Sequence, residues 1–118
     1  MEHRGQLLYT HGVAAGRIGA EDMCRVLCEN PARLYGCWPR KGVIAPGSDG
    51  DIVVWDPEAR GTITAADQVQ NVDYTPYEGW AVQGAAEQVY LRGILAVDRG
   101  AVLVENSGQF IKRGRNQL

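Results

Sequence analysis

The chain has 118 residues, 45% apolar and 22% charged, with twelve Lys and Arg against fourteen Asp and Glu for a formal net charge of −2. This is ordinary globular composition, enough for one domain that buries roughly two thirds of its unfolded surface without disulfides or metals. It excludes a strongly basic nucleic-acid binder, and no apolar run approaches the ~20 residues of a membrane span.

Leu7, Leu8, His11 and Ala15 fall on one stripe of helical period. They predict a first helix over residues 3–14, stopped at Gly16. A second helix is predicted from Gly19 or Ala20, with Glu21 and Asp22 at the positive end of its dipole. Met23, Val26 and Leu27 are its expected buried stripe. Asn30-Pro31 reads as an N-cap followed by Pro at the first helical position, opening a short third helix over 31–35 closed by Gly36.

From residue 41 the pattern changes to strands. Gly42-Val43-Ile44-Ala45 reads as a short one, and residues 46–50, PGSDG, as a turn. The apolar run 51–56 is strand-like and ends at Asp56-Pro57, and 61–64 is a further candidate. Residues 65–80 have no period and contain a Pro- and Gly-bounded aromatic loop, Asp73-Tyr74-Thr75-Pro76-Tyr77-Glu78-Gly79. Strands at 88–92, 94–97 and 101–104 are separated by Gly93 and by Asp98-Arg99-Gly100, which suggests hairpins. Fifteen glycines, about 13% against a usual ~7%, fit so many turns. The expected class is α+β: two or three N-terminal helices, then five or six short strands in a mainly antiparallel sheet. By organisation the chain divides into a helical segment, 1–40, a β-rich segment, 41–106, and a polar basic tail, 107–118, expected to be mobile.

The residues offer little chemistry. Cys24, Cys28 and Cys37 lack zinc or redox spacing and read as reduced, buried thiols. His11 reads as a packed imidazole on the apolar face of the first helix and His3 as solvated, and neither belongs to a metal motif. A nucleophile pair of His11 with Cys24 or Cys28 would need a third orienting group, and nothing marks one. Residues 47–51, GSDGD, lack the ends of a phosphate or calcium loop, so Asp49 and Asp51 are expected to bond backbone amides in a turn. Asp73 and Glu78 flank Tyr74 and Tyr77. Their expected role is to cap amides while the tyrosines pack on Pro76, with acid–base work as the alternative. Asp73, Tyr74, Tyr77, Glu78 and Trp80 are the candidate interaction loop. Lys112, Arg113 and Arg115 make a solvated end, or a polyanion contact.

Several segments together resemble one family. These are LLYTHGV at 7–13, NPARLYG at 30–36, PRKG at 39–42, IAPGSDGDIVVWDP at 44–57, NVDYTPYEG at 71–79, and Arg92-Gly93 before an apolar strand. In order and spacing they resemble the C-terminal part of dihydropyrimidinases and hydantoinases of the amidohydrolase superfamily, from about residue 5 to 113. The resemblance implies a (β/α)₈ barrel with a dinuclear metal centre, usually zinc, that hydrolyses cyclic amides. Its ligands (an H-x-H motif, a carboxylated lysine, two more histidines and an aspartate) are expected upstream of this segment. Lys41 and His11 match none of them. The resemblance therefore implies no complete barrel, no catalytic or metal residue and no cofactor in this chain. Residues 1–40 would be the last helices outside the barrel, and 41–106 the C-terminal share of a composite β-sandwich.

The implied function is a structural portion of a cyclic amidohydrolase, inactive alone, acting as scaffold or oligomerisation module. The alternatives are a subunit of a split amidohydrolase and a stand-alone binder using the loop at 74–80. The implied partners are a second copy, a strand-exchanged dimer or a separate barrel-bearing chain, with no nucleic acid and no membrane. Residues 1–5, MEHRG, hold no signal-peptide core, and the expected location is cytoplasmic.

Overall fold

A computed structural model describes residues 2–118 and shows an α+β chain, helices first and strands after. Four strands form one sheet in the order β1-β2-β3-β4: β1 (Ile52–Thr62), β2 (Ala81–Leu91), β3 (Ile94–Asp98) and β4 (Ala101–Val102). The pairs β2–β3 and β3–β4 are antiparallel, and the order is open, with β1 and β4 as edges. The chain packs as two compact units, one holding the described residues up to Met23 with Asp56–Ala85, the other Cys24–Trp55 with Ala86–Leu118.

In the first unit, α1 (Arg4–Leu8) runs directly into a π-helical stretch, Tyr9–Val13. The Ala14 amide donates to the Tyr9 carbonyl, five residues back, at 2.8 Å. Thr10 gives this widening a local cause, because its hydroxyl reaches the Gln6 carbonyl at 2.7 Å and so competes for the acceptors of the helix. The stop at Gly16 is as expected. The second helix, α2 (Ala20–Cys24), begins where Gly19 donates its amide to Asp22 Oδ2 at 3.0 Å. Asp22 thus caps the helix from inside its first turn, in place of a Ser or Thr at the cap position.

The sequence places a strand end at Asp56-Pro57 and a new strand at 61–64. Instead β1 runs unbroken through Pro57 to Thr62. Proline cannot donate to a ladder, and it is tolerated here because β1 lies at the sheet edge. Merging these segments is one reason there are four strands and not five or six. Ile63 and Val82, 4% and 6% exposed, form the small core of this unit.

In the second unit a π-helical stretch, Arg25–Glu29, continues into α3 (Asn30–Leu34) without a break. Asn30 is not the expected N-cap: its φ and ψ of −60° and −45° are helical. Pro31, expected at a helix start, instead lies inside this continuous run just after the π-helical stretch, where it has no N–H to donate to the preceding turn. The expected buried stripe is also corrected. Val26 is 52% exposed, and Cys24 and Cys28 are exposed thiols. Helical period places these residues on a face; what packs over that face is a tertiary matter.

No strand forms at 42–45. Gly42 has φ +83°, and a Cβ there would lie 2.5 Å from the Ala32 Cβ and 2.8 Å from the Cys28 carbonyl. The backbone is pressed against the helix in a conformation that only glycine adopts freely, which ends any extended run.

Both hairpins are as expected and have two-residue turns. Leu91 pairs Ile94 across Arg92-Gly93, with φ +50° and +78°. Asp98 pairs Ala101 across Arg99-Gly100, with φ +47° and +82°. Positive φ at both positions matches the twist of the flanking strands. The first turn is anchored to the preceding loop, because the Arg92 amide donates to Asp51 Oδ1 at 2.9 Å and the Gly93 amide to the Gly50 carbonyl at 2.9 Å.

The tail is tied down. The Gly114 amide donates to the Gly36 carbonyl at 2.7 Å and the Gln117 amide to the Arg33 carbonyl at 3.1 Å. Polar composition suggests mobility, but backbone donors find acceptors at the unsatisfied C-terminal end of α3. The same unit carries an ion cluster. Lys41 Nζ bonds Asp51 and lies 2.9 Å from Asp49 Oδ2, which Arg40 Nε also reaches at 3.0 Å. Asp51 bonds a backbone amide as expected, but one 41 residues away instead of a neighbour in the turn.

Candidate functional site

The aromatic loop and the start of α1, both in the first unit, enclose an open cleft of about 570 Å³. Glu2 assembles it. Its carboxylate accepts hydrogen bonds from the Val69 amide at 2.9 Å and the Gln70 amide at 2.7 Å. The loop is braced internally by the Gln68 side-chain amide, which donates to the Val72 and Tyr74 carbonyls at 2.6 and 3.1 Å. Its base is closed by the Ile63 amide donating to the Trp80 carbonyl and the Gly79 amide to the Ile63 carbonyl, each at 2.9 Å. Partial burial pushes the Glu2 carboxyl up, but the two amide donors and nearby His3 outweigh it and hold it below the usual range.

Four rings meet edge to face along the loop. His3 and Tyr77 have centroids 6.4 Å apart, Tyr77 and Trp80 5.3 Å, and Trp80 and His11 5.5 Å. The two histidines thus exchange their expected roles: His3, read as solvated, is 8% exposed, and His11, read as packed, is exposed. The reason is non-local, since the chain folds residues 70–77 over the start of α1. His3 Nε2 is buried with no hydrogen-bond partner among the described residues. An unpaired polar atom in a dry position costs on the order of 1–3 kcal/mol.

The five loop residues singled out from sequence stand together but differ in surroundings. Tyr77 lines the cleft and touches both His3 and Trp80. Tyr74 also lines it and is 68% exposed. Glu78 Oε2 accepts the Ala65 amide at 2.7 Å, the capping role expected of it. Asp73 is exposed, and Trp80 is partly open at 46%. Glu2, His3 and Gln70 carry as much of the site and had no signal in the sequence. Their partners lie some seventy positions away, beyond the reach of any periodicity.

Among the described residues, no three His, Cys, Asp or Glu side chains are grouped as a metal ion would need. The side chains present therefore do not fit the dinuclear centre that the resemblance implies. No helix among the described residues is long and apolar enough to cross a membrane.

Comparison with known proteins fixes the class to which this fold belongs. Residues 1–95 match the profile of the amidohydrolase family, and the chain belongs to that family. Within it the chain is similar to hydantoinases. It is 40% identical over 114 residues to D-phenylhydantoinase of Escherichia coli O127:H6 (strain E2348/69 / EPEC), which covers 96% of this chain and 25% of that protein. The structure of D-hydantoinase from Bacillus sp. AR9 superposes with a TM-score of 0.91 at 41% identity, over 95% of this chain and 25% of that one. D-hydantoinase (dihydropyrimidinase) from Thermus sp. gives a TM-score of 0.93 at 40% identity, over 99% and 26%. The chain thus spans about a quarter of the length of the relatives it matches.

Proposed function

We propose that the chain is the C-terminal structural portion of a dihydropyrimidinase- or hydantoinase-like cyclic amidohydrolase. It serves as scaffold and assembly module, and by itself it does not hydrolyse the cyclic amide C–N bond. In a full-length enzyme of this kind a bound metal supplies the hydroxide for ring opening. The helices here would flank the barrel, and the open sheet would be one share of a β-sandwich.

One observation carries this reading: nearly the whole chain matches only a quarter of its relatives. The surface is consistent with it. Ile44, Val69 and Phe110 are 79%, 87% and 92% exposed, and no large side chain among the described residues is completely buried. A chain of this length can bury a fuller core, so apolar surface of this extent suits a portion that the rest of a larger protein covers.

The test is direct. The purified chain is supplied with zinc, its metal content measured, and hydantoin and dihydrouracil ring opening assayed. The expected result is no stoichiometric metal and no turnover. Turnover by the chain alone would overturn the proposal.

A further inference from the structure

We infer that Cys24 and Cys28 together form a two-coordinate surface site for cuprous ion, a soft monovalent cation. Neither cyclic-amide hydrolysis nor a scaffold role calls for such a site, and it stands independently of both.

Both cysteines belong to the second compact unit and to one continuous helical run. Cys24 closes α2, and Cys28 lies in the π-helical stretch Arg25–Glu29. In an α-helix a residue four positions on sits about 40° further round the axis, with the two Cβ atoms ~5–6 Å apart. Here the Asn30 amide donates to the Arg25 carbonyl, five residues back. Bonds of that span widen the turn and draw the fourth position back toward the same line. Both thiols are exposed, so they share one open face of the helix.

Spacing and donor count choose the ligand. A disulfide needs Cβ atoms about 3.5–4.5 Å apart, closer than one helical turn offers, so the two sulfurs are kept from joining each other. A cation bonded at about 2.3 Å to each sulfur holds them up to ~4.6 Å apart, a span that thiols on one helix face reach in ordinary rotamers. Among the described residues, no three His, Cys, Asp or Glu side chains are grouped, so the pair has no third ligand of these kinds. Zinc takes four ligands and is left unsatisfied by two thiolates. Cuprous ion is soft, favours thiolate and accepts two ligands in line. Cys37 stands apart: it is only partly exposed, and its Sγ lies 3.8 Å from the Tyr35 carbonyl oxygen. On binding, two S–H bonds give way to two S–Cu bonds and two protons pass to solvent. Copper stays at +1 throughout, so no oxidant or reductant takes part.

The test is anaerobic titration of the reduced full chain with the coloured Cu(I)–bicinchoninate complex, followed by X-ray absorption of the loaded protein and by sizing. The wild-type chain is expected to withdraw copper at equal stoichiometry, with two sulfur neighbours per ion and no change in size. Cys24→Ser and Cys28→Ser, both at exposed positions, are each expected to lose that uptake, and Cys37→Ser is expected to keep it. Melting by circular dichroism checks that each variant is folded, and if one of the two serine variants is not, the other carries the conclusion. A wild-type chain that leaves the bicinchoninate complex intact would overturn the inference. Uptake that survives in a folded Cys24→Ser or Cys28→Ser, or that is lost in a folded Cys37→Ser, would place the ion elsewhere and overturn it too. Half-stoichiometric copper with a doubling in size would mean that the ion bridges thiols of two chains, which also refutes a site within one helix.

Discussion

Thr10 and Gln83, 73 residues apart in sequence, are joined through one hydroxyl. Thr10 Oγ1 accepts the Gln83 amide at 3.0 Å and lies 3.1 Å from the Gln83 carbonyl, while it also reaches the Gln6 carbonyl at 2.7 Å. The helical start of the chain is thereby tied to the first residues of β2, beside a second bond from the Gln6 side-chain amide to the Gly84 carbonyl at 3.3 Å. Thr10→Val keeps the shape and removes the acceptor. It is expected to cost about 1–2 kcal/mol, because the Gln83 amide loses its partner in a partly buried place. A urea unfolding midpoint measures this, and an unchanged midpoint would show that water replaces the hydroxyl without loss.

Gly42 and Gly47 separate two causes of glycine's necessity. Both have positive φ, +83° and +91°. A methyl group at Gly42 would strike Ala32 and the Cys28 carbonyl, whereas nothing lies within 4 Å of one at Gly47. Gly47→Ala is expected to cost about 1 kcal/mol, the backbone penalty alone. Gly42→Ala is expected to cost about 3 kcal/mol, since overpacking adds to it. Paired thermal melts compare them, and equal losses would refute the packing difference.

Lys41, Asp49 and Asp51 make stability depend on pH at both ends. The ammonium of Lys41 beside it holds the Asp49 carboxyl below its ordinary range. Burial raises Asp51, but Lys41 and the Arg92 amide outweigh it, so its carboxyl is also lowered. A carboxylate with a lowered folded pKa stabilises above its unfolded pKa, and that stability is lost as pH falls through the folded value. Burial lowers Lys41, yet bonds to Asp51 and Asp49 raise it overall. Its contribution is present below the ordinary lysine pKa and is lost as pH rises through the raised one. Lys41→Met is therefore expected to flatten the acid limb of a stability–pH curve and abolish the cluster's part of the alkaline limb. Urea midpoints across pH would show this, and parallel curves for the two proteins would count against the cluster.

Arg99 occupies the first position of a two-residue turn at φ +47°. Its guanidinium is 3.8 Å from Glu87 and its side chain is 79% exposed, so that pair contributes little. Asn-Gly suits this turn better than Arg-Gly, and Arg99→Asn is expected to stabilise by about 0.5 kcal/mol. A raised melting temperature checks it, and a lowered one would mean that the ion pair outweighs the backbone strain.

Local signals were legible wherever neighbours in sequence do the work. The helices, their stops at Gly16 and Gly36, the two Gly-containing hairpins and the capping role of Glu78 all rest on contacts within a few residues or on turn chemistry. So did the family, because several motifs in fixed order are a property of the chain itself. The errors share a different cause. Pro57 reads as a terminator unless its strand is known to be at an edge, and residues 42–45 read as a strand unless Gly42 is known to press on Ala32.

For the candidate site, the loop at 73–80 was visible from its composition, but the cleft was not. Glu2 bonds Val69 and Gln70 across 67 and 68 residues, and residues 70–77 line the cleft with the buried His3, while His11 stays exposed. Sequence by itself determined an α+β chain of amidohydrolase kinship with glycine-bounded turns, since periodicity and turn preference are encoded in adjacent residues. Tertiary structure decided which apolar faces are covered, which histidine is dry and where the cleft lies. Burial depends on which distant segment arrives, and no local pattern carries that address.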